Sequence, residues 1–149
     1  MNQMRDIMTT QVATVTPQDN IQQAAGLMKQ HNVGVIPVVE NGVLRGVVTD
    51  RDLVLRSVAD NNGAATVAEV MTTDVITADP TMTVDEASRL MAERQIRRLP
   101  IVENNQLVGI VALGDLAARQ QHAGEAGVAL SNISSNIPDP EPGDQQTLM

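Results

Sequence analysis

Residues 34–52 read GVIPVVENGVLRGVVTDRD, and residues 97–115, 63 positions later, read RRLPIVENNQLVGIVALGD. This register extends outwards without a gap to align Met8–Arg56 with Met71–Arg119, and 19 of the 49 aligned positions are identical. A self-match of this length indicates two tandem copies of one unit of about 50 residues. A single copy buries little apolar surface by itself, so we expect the two copies to pack against each other.

The first half of each repeat predicts a short strand followed by a helix. Val12–Thr16 and Val75–Ala78 are β-branched runs that end at a proline, which is typical of short strands. Asn20 and Thr83 each stand three residues before a Gln or Glu, and this capping-box pattern marks a helix N-terminus. A further capping box at Thr66 predicts a short helix between the repeats.

The second half of each repeat predicts a β-hairpin and a final helix. Val35–Val39 and Leu99–Val102 have the apolar composition of buried strands. The turn after the first of them contains Asn41-Gly42, the dipeptide that best tolerates the positive φ angles of a type I′ turn. The aligned turn of the second repeat has two asparagines, which also tolerate left-handed φ angles. The remaining predicted elements are strands over Val43–Val48 and Gln106–Val111 and helices that begin near Asp50 and Gly114.

These elements place the chain in the α/β class, as two tandem repeats that each read strand, helix, strand, strand, helix. We expect the repeats to pack sheet to sheet as a pseudo-two-fold pair. Residues 1–62 are assigned to the first repeat and residues 63–123 to the second. Residues 124–149 lose the apolar periodicity and gain Ser, Pro, Gly and acidic residues, so we expect a mostly flexible acidic tail.

The composition excludes several classes of protein and site. The chain has a net charge of −8 and no Phe, Tyr or Trp, so it lacks the cationic surface and the stacking side chains that nucleic-acid binding needs. We expect neither a membrane span nor a secretory signal, because no apolar run is long enough for a span and no apolar signal core follows the first residues. Cysteine is absent, which excludes disulfides and thiolate zinc sites and suits a cytoplasmic location. His31 and His122 stand alone, so no metal site is predicted.

Three motifs of the repeats carry a family resemblance. Met8–Val12 reads Met-Thr-Thr-x-Val, Ile36–Val38 is an apolar-Pro-Val strand, and Gly46–Asp52 reads Gly-h-x-Thr-x-x-Asp, where h is apolar. These motifs resemble the cystathionine-β-synthase (CBS) domain, and two domains in tandem resemble a Bateman module over about residues 1–120. The resemblance implies a regulatory module that binds an adenine nucleotide or a related ligand in a cleft between the repeats, and that dimerises.

The resemblance also implies that Thr49, Asp50, Arg51 and Asp52 form a ribose-phosphate motif. Thr49 can donate a hydrogen bond to a phosphate oxygen, and a carboxylate at Asp52 can accept hydrogen bonds from both ribose hydroxyls. The motif also lies where a strand leads into a helix N-terminus, which favours an anion. The alternative interpretation is ordinary helix capping, with Thr49 as N-cap and Asp52 as an acid in the first turn.

Two adjacent arginines, Arg97 and Arg98, precede the proline strand of the second repeat, and in the family basic residues here resemble phosphate contacts. Their planar guanidinium groups suit bidentate phosphate binding. The aligned residues of the first repeat are Gly34 and Val35, which carry no charge. The alternative is a pair of exposed arginines at a helix end. The resemblance further places the adenine against Thr10, Val12 and Ala13.

A weaker second site is predicted around Asp115, the residue that aligns with Asp52. Ala112 stands there in place of the motif hydroxyl, so the second site lacks one phosphate partner. Val75 and Ile76, which align with residues of the first adenine wall, would line this site.

The resulting functional hypothesis is a stand-alone, cytoplasmic, non-enzymatic sensor that binds AMP, ADP or ATP and signals to an unidentified partner protein. S-adenosylmethionine and NAD rank behind these nucleotides as ligands, and a homodimer is expected. One alternative is a ligand-free dimerisation or interaction scaffold. Another is an enzyme, such as a small hydrolase that uses Asp52 or Asp115. Signalling by a bound nucleotide requires that the ligand bind one conformation of the chain better than another.

Overall fold

A computed structural model describes residues 2–121 of the chain, and the predicted tail at residues 124–149 lies outside the described residues. The helices are α1 (Met4–Ile7), α2 (Ile21–His31), α3 (Asp50–Leu53), α4 (Val67–Val70), α5 (Val84–Arg94) and α6 (Leu113–Gln121). A π-helical turn, Val54–Val58, continues α3. The strands are β1 (Val35–Glu40), β2 (Val43–Thr49), β3 (Arg98–Glu103) and β4 (Gln106–Ala112). This mixed α/β content, with β1 antiparallel to β2, confirms the predicted fold class.

The hairpin turns and helix caps form where the sequence predicts them. Asn41 and Gly42 both have positive φ angles, 54° and 83°, as a type I′ turn requires. The two asparagines of the second turn also have positive φ angles, 53° and 66°. At the start of α2, the Gln23 amide donates to Asn20 Oδ1 at 2.9 Å, and the Asn20 amide donates to Gln23 Oε1 at 3.0 Å. Thr83 caps α5 in the same way.

The predicted strand over Val12–Thr16 is wrong, because only Val15 makes a parallel bridge there. Its amide donates to the Pro37 carbonyl at 3.1 Å, and its carbonyl accepts from the Val39 amide at 2.8 Å. The next hydrogen bonds of this ladder would need amide hydrogens on Pro17 and Pro37, and proline has none. The ladder therefore stops after one residue.

The predicted strand over Val75–Ala78 is wrong for the same reason. Ala78 bonds to the Pro100 carbonyl at 3.0 Å and to the Val102 amide at 2.8 Å. Pro80 and Pro100 remove the amide hydrogens that would continue this ladder in either direction.

The described chain separates into two compact units, each of which takes in the short helix that begins the other repeat. The first-repeat unit comprises residues 13–75 and 105–107, and the second-repeat unit comprises residues 2–12, 76–104 and 108–121. Each compact unit combines segments of both sequence repeats. The repeat limits at 1–62 and 63–123 describe the duplication in the sequence, and they stay a prediction.

Helix α1 is absent from the sequence prediction, although the sequence contains a signal for it. Gln3 and Asp6 form a capping box, and they stand 63 residues before Thr66 and Glu69, the capping box of α4. The duplication therefore extends to these two short helices. Met4 of α1 is buried in the core of the second-repeat unit, whereas Val67 and Val70 of α4 are buried in the core of the first-repeat unit.

Each unit has its own core of aliphatic and Met side chains, built from aligned positions of the repeats. The core of the first-repeat unit includes Ile21, Ala24, Met28, Ile36, Val38 and Val48. The aligned residues in the core of the second-repeat unit are Val84, Ala87, Met91, Leu99, Ile101 and Val111. Met28 and Met91 are thus aligned core residues, and their flexible side chains suit the filling of irregular gaps.

A glycine in each hairpin allows the Met-Thr-Thr segment to approach closely. Thr72 forms an antiparallel bridge with Val47, with backbone hydrogen bonds of 2.9 and 2.8 Å. A Cβ atom at Gly46 would overlap the Thr72 carbonyl oxygen. In the second-repeat unit, a Cβ atom at Gly109 would lie 2.9 Å from the Thr9 carbonyl oxygen. The glycine shared by both repeats is therefore required by this backbone contact.

We expect Gly46→Ala to lower the free energy of unfolding by about 1–3 kcal/mol, because the added methyl group forces the Thr72 backbone away from β2. The matched control is Gly26→Ala in α2, where a Cβ atom meets nothing within 4 Å. It should stabilise the helix by about 0.5–1 kcal/mol. Urea denaturation followed by circular dichroism measures both effects. A Gly46→Ala protein as stable as the wild type would contradict the close approach.

Candidate functional site

The motif Thr49–Asp52 lies where β2 ends and α3 begins, and its two side chains cap the helix reciprocally. The Asp52 amide donates to Thr49 Oγ1 at 3.0 Å, and the Thr49 amide donates to Asp52 Oδ2 at 3.1 Å. The Asp52 residue is only 7% exposed. The two residues therefore make the hydrogen bonds that the capping interpretation predicts.

The Asp52 carboxylate also holds the segment that follows α4. Thr72 Oγ1 donates to both oxygens of Asp52, at 3.2 Å from Oδ1 and 3.1 Å from Oδ2. Arg56 Nε lies 3.9 Å from Oδ1, and Arg56 Nη1 donates to the carbonyl oxygens of Val70 and Met71. Sequence reasoning missed Thr72, although its identity with Thr9 in the aligned repeat was a usable signal.

The other two residues of the motif differ in exposure. Arg51 is exposed, whereas Asp50 is half-buried and its side chain accepts a hydrogen bond from the Arg51 amide at 2.8 Å. Burial raises the pKa of the Asp50 carboxyl above its ordinary value, and the nearby charge of Asp52 acts in the same direction. Backbone hydrogen bonds to the carboxylate oppose this rise in pKa. Ala13, predicted at the adenine wall, packs at the edge of the same unit's core.

Arg97 and Arg98 lie in the second-repeat unit, and both are half-buried rather than exposed. Across residues 2–121, Arg97 Nη1 is buried and has no hydrogen-bond partner. Burial lowers the pKa of the Arg98 guanidinium, the charge of Arg97 lowers it further, and the charge of Asp115 opposes both. The alternative of two exposed arginines at a helix end is therefore wrong.

The backbone brings these arginines beside the N-terminus of α6. The Leu113 amide donates to the Arg97 carbonyl at 2.7 Å, and the aligned Asp50 amide donates to the Gly34 carbonyl at 2.9 Å. Asp115 is exposed, and within the described part of the chain no hydrogen bond to its side chain is formed. Asp52 accepts a hydrogen bond from Thr72, whereas Asp115 accepts none from a threonine among residues 2–121.

The predicted site residues are divided between the two units. The first-repeat unit contains Ala13, Thr49, Asp50, Arg51, Asp52 and Val75. The second-repeat unit contains Thr10, Val12, Ile76, Arg97, Arg98 and Asp115. Each unit therefore contains its own subset of these residues, and the contact of both subsets with one ligand stays a prediction.

Two further features of residues 2–121 concern metals and membranes. Among these residues no group of three or more His, Cys, Asp or Glu side chains is placed to hold a metal ion. None of the described helices combines the length and the apolar character that crossing a membrane requires.

Comparison with known proteins identifies relatives over nearly all of the described chain. The family model of the CBS domain matches residues 4–59 and again residues 67–122. The CBS domain-containing protein YhcV of Bacillus subtilis is 59% identical over 135 residues, which cover 90% of this chain and 96% of that protein.

Solved structures with the same fold include two that contain adenine compounds. CBSX2 in complex with AMP has a TM-score of 0.73 and 26% identity, over 83% of this chain and 98% of that chain. The CBS domain pair of MJ0100, in complex with 5′-methylthioadenosine and S-adenosyl-L-methionine, has a TM-score of 0.71 and 29% identity. That match also covers 83% of this chain and 98% of the other.

We expect Asp52→Ala to lower the free energy of unfolding by about 1–3 kcal/mol, because the Thr49 amide and the Thr72 hydroxyl both lose their acceptor. Asp115→Ala, at the aligned exposed carboxylate, is the matched control and should cost clearly less stability, because it removes a solvent-screened charge near Arg98 and no hydrogen bond among residues 2–121. Urea denaturation of the unliganded proteins measures the difference. Equal losses in the two variants would contradict the structural role of Asp52.

Proposed function

Because this chain belongs to the CBS-domain family, we propose that it is a regulatory module that binds an adenine nucleotide and signals its occupancy to a partner protein. The observation that carries the proposal is the buried Nη1 atom of Arg97, which has no hydrogen-bond partner in residues 2–121. The solved relatives that contain AMP or S-adenosyl-L-methionine support an adenine compound as ligand. The proposed role is regulatory and not catalytic.

An anionic ligand would supply a hydrogen-bond acceptor and negative charge to the two half-buried arginines. A buried donor without an acceptor costs about 1–3 kcal/mol, and more when the group is charged. Among the described residues, the charge of Asp115 opposes the desolvation that lowers the pKa of Arg98. A phosphate monoester carries about −1.5 to −2 charges at pH 7 and presents the oxygen geometry that a guanidinium binds bidentately. AMP, ADP or ATP therefore fits better than an uncharged nucleoside.

The ribose of the nucleotide is assigned to Asp52, with Thr49 as a donor to phosphate. The proposed contacts of the same ligand are completed by Asp50, Arg51, Arg97 and Arg98 and by the adenine wall of Thr10, Val12 and Ala13. A weaker second site uses Asp115 with Val75 and Ile76, since Ala112 offers no hydroxyl. S-adenosylmethionine and NAD rank behind the nucleotides in this proposal, and the cytoplasmic location stays a prediction.

The second candidate function is an interaction scaffold that binds no ligand. It is favoured by the state of Asp52, whose carboxylate is buried and already accepts hydrogen bonds from Thr49 and Thr72. In a scaffold the motif caps α3 and holds Thr72, and it binds no ribose. Binding measurements with adenine nucleotides separate the two functions.

Arg97→Met should weaken AMP binding at least tenfold, because a charged hydrogen bond to phosphate is worth about 1.5–3 kcal/mol. Adenosine binding, which lacks the phosphate, should change much less. The matched control is Arg89→Met, an exposed arginine on α5 of the same unit. Isothermal titration calorimetry with both ligands measures these affinities. If the wild type binds no adenine nucleotide, the scaffold replaces the sensor, and unchanged AMP affinity in Arg97→Met would remove the arginine from the site.

We also propose that the chain forms a homodimer through the π-helical turn after α3. Val54, Leu55 and Val58 are exposed by 55%, 48% and 73%, and they form an apolar surface on one short segment. A second copy of the chain that covers this surface would remove its apolar side chains from water.

Val58→Lys should therefore shift the mass measured by light scattering from twice 15.9 kDa towards 15.9 kDa, because a lysine there resists burial. Gln30→Lys, at an exposed position of α2, is the control and should remain dimeric. A wild-type protein that is monomeric at micromolar concentration would contradict this assembly.

A further inference from the structure

The Thr72 hydroxyl occupies the carboxylate that the proposed function assigns to a ribose. It donates to both oxygens of Asp52, at 3.1 and 3.2 Å, which is the contact a ribose hydroxyl would make. The Asp52 side chain is only 9% exposed in this arrangement. A second hydroxyl group from solvent therefore has little access to either oxygen.

The position of the donors around Asp52 also limits how a ribose can reach it. A carboxylate offers about four lone-pair positions. Oδ2 already accepts from the Thr49 amide and from Thr72, and Oδ1 faces Thr72 and, at 3.9 Å, Arg56 Nε. Two ribose hydroxyls would need positions on both oxygens. Lone pairs remain on both oxygens, but the Thr72 hydroxyl lies within hydrogen-bond distance of both of them on a side chain that is only 9% exposed. Thr72 is the donor that can move aside, because its hydroxyl turns by rotation about χ1, whereas the Thr49 amide belongs to the backbone.

We infer that Thr72 is a built-in competitor for the ligand hydroxyl at Asp52, so that a ribose binds only after Thr72 releases the carboxylate. This inference rests on the proposed function, because it needs a hydroxyl-bearing ligand at Asp52. Release of Thr72 removes one attachment of its segment, and the Val47 bridge and the Arg56 contacts to Val70 and Met71 remain. Ligand binding thereby weakens the attachment of the segment that leads into the second repeat.

The second repeat offers an internal comparison. Thr9 aligns with Thr72 and makes the equivalent backbone bridge, to Ile110, with hydrogen bonds of 2.9 and 3.0 Å. Yet over residues 2–121 the Thr9 hydroxyl donates no hydrogen bond to Asp115, and Asp115 is exposed. The competing contact is thus a property of the first-repeat unit and does not follow from the Met-Thr-Thr motif alone.

The test is calorimetric titration of AMP into the full-length wild type and into Thr72→Val, which keeps the side-chain shape and removes the hydroxyl. We expect Thr72→Val to bind AMP about tenfold more tightly, a difference of about 1.4 kcal/mol, because the ligand no longer displaces a donor. Thr72→Ser retains the hydroxyl and should bind as the wild type does. Thr9→Val is the matched control in the other repeat and should leave the affinity unchanged.

Each outcome is decisive. Equal or weaker AMP binding by Thr72→Val, with binding by the wild type intact, overturns the inference and leaves the proposed function standing. If neither the wild type nor Thr72→Val binds AMP, both the proposed function and this inference are overturned. If Thr72→Val does not fold, NMR couplings of the Thr72 methyl group in the wild type decide. A change of χ1 on addition of AMP supports the competition, and an unchanged χ1 overturns it.

Discussion

Two close backbone contacts, Thr72 against Gly46 and Thr9 against Gly109, are the constraint on which both units depend. Each forms an antiparallel bridge that any side chain on the glycine would obstruct. Through these bridges, the segment before each repeat becomes part of the other repeat's unit. The short helices α1 and α4 accompany these segments, and their apolar side chains complete the two cores. The glycine and the Met-Thr-Thr motif are therefore two halves of one contact.

The contact at Gly46 also determines the state of the candidate ligand site. It places the Thr72 hydroxyl beside Asp52, which already caps α3 through Thr49. One carboxylate thus serves helix capping and attachment of the following segment, and in our proposal it also serves ribose binding. In this proposal, a ligand that binds the buried carboxylate replaces hydrogen bonds within the protein by hydrogen bonds to the ligand. The net binding free energy is therefore the difference between two sets of hydrogen bonds of similar strength. Such a balance suits a regulatory module, whose ligand must shift a population between two arrangements.

The repeats share a backbone but have diverged in the side chains that bear charge. The first repeat keeps Thr49 and has no cation before its proline strand, whereas the second has Ala112 and two arginines there. The consequence is that Asp52 of the first-repeat unit is buried and hydrogen-bonded, whereas the second-repeat unit has an exposed acid, Asp115, and two half-buried arginines. Duplication followed by this divergence leaves two units with similar backbones and different charged side chains at aligned positions.

The sequence by itself determined the duplication, the helix caps, the hairpin turns and the family, because these signals act over a few residues or repeat along the chain. Asn20, Thr83 and the Asn41-Gly42 turn behave as their local chemistry predicts. The local pattern before Pro17 predicted a strand, but strand formation also depends on the hydrogen bonds that the partner segment can make. The β-branched run there forms one bridge. Only the tertiary structure decided that Thr72 bonds to Asp52 and that Arg97 has a buried donor without a partner in the described residues. These contacts depend on which segments, far apart in the sequence, pack against each other. The local spacing of residues does not determine that packing.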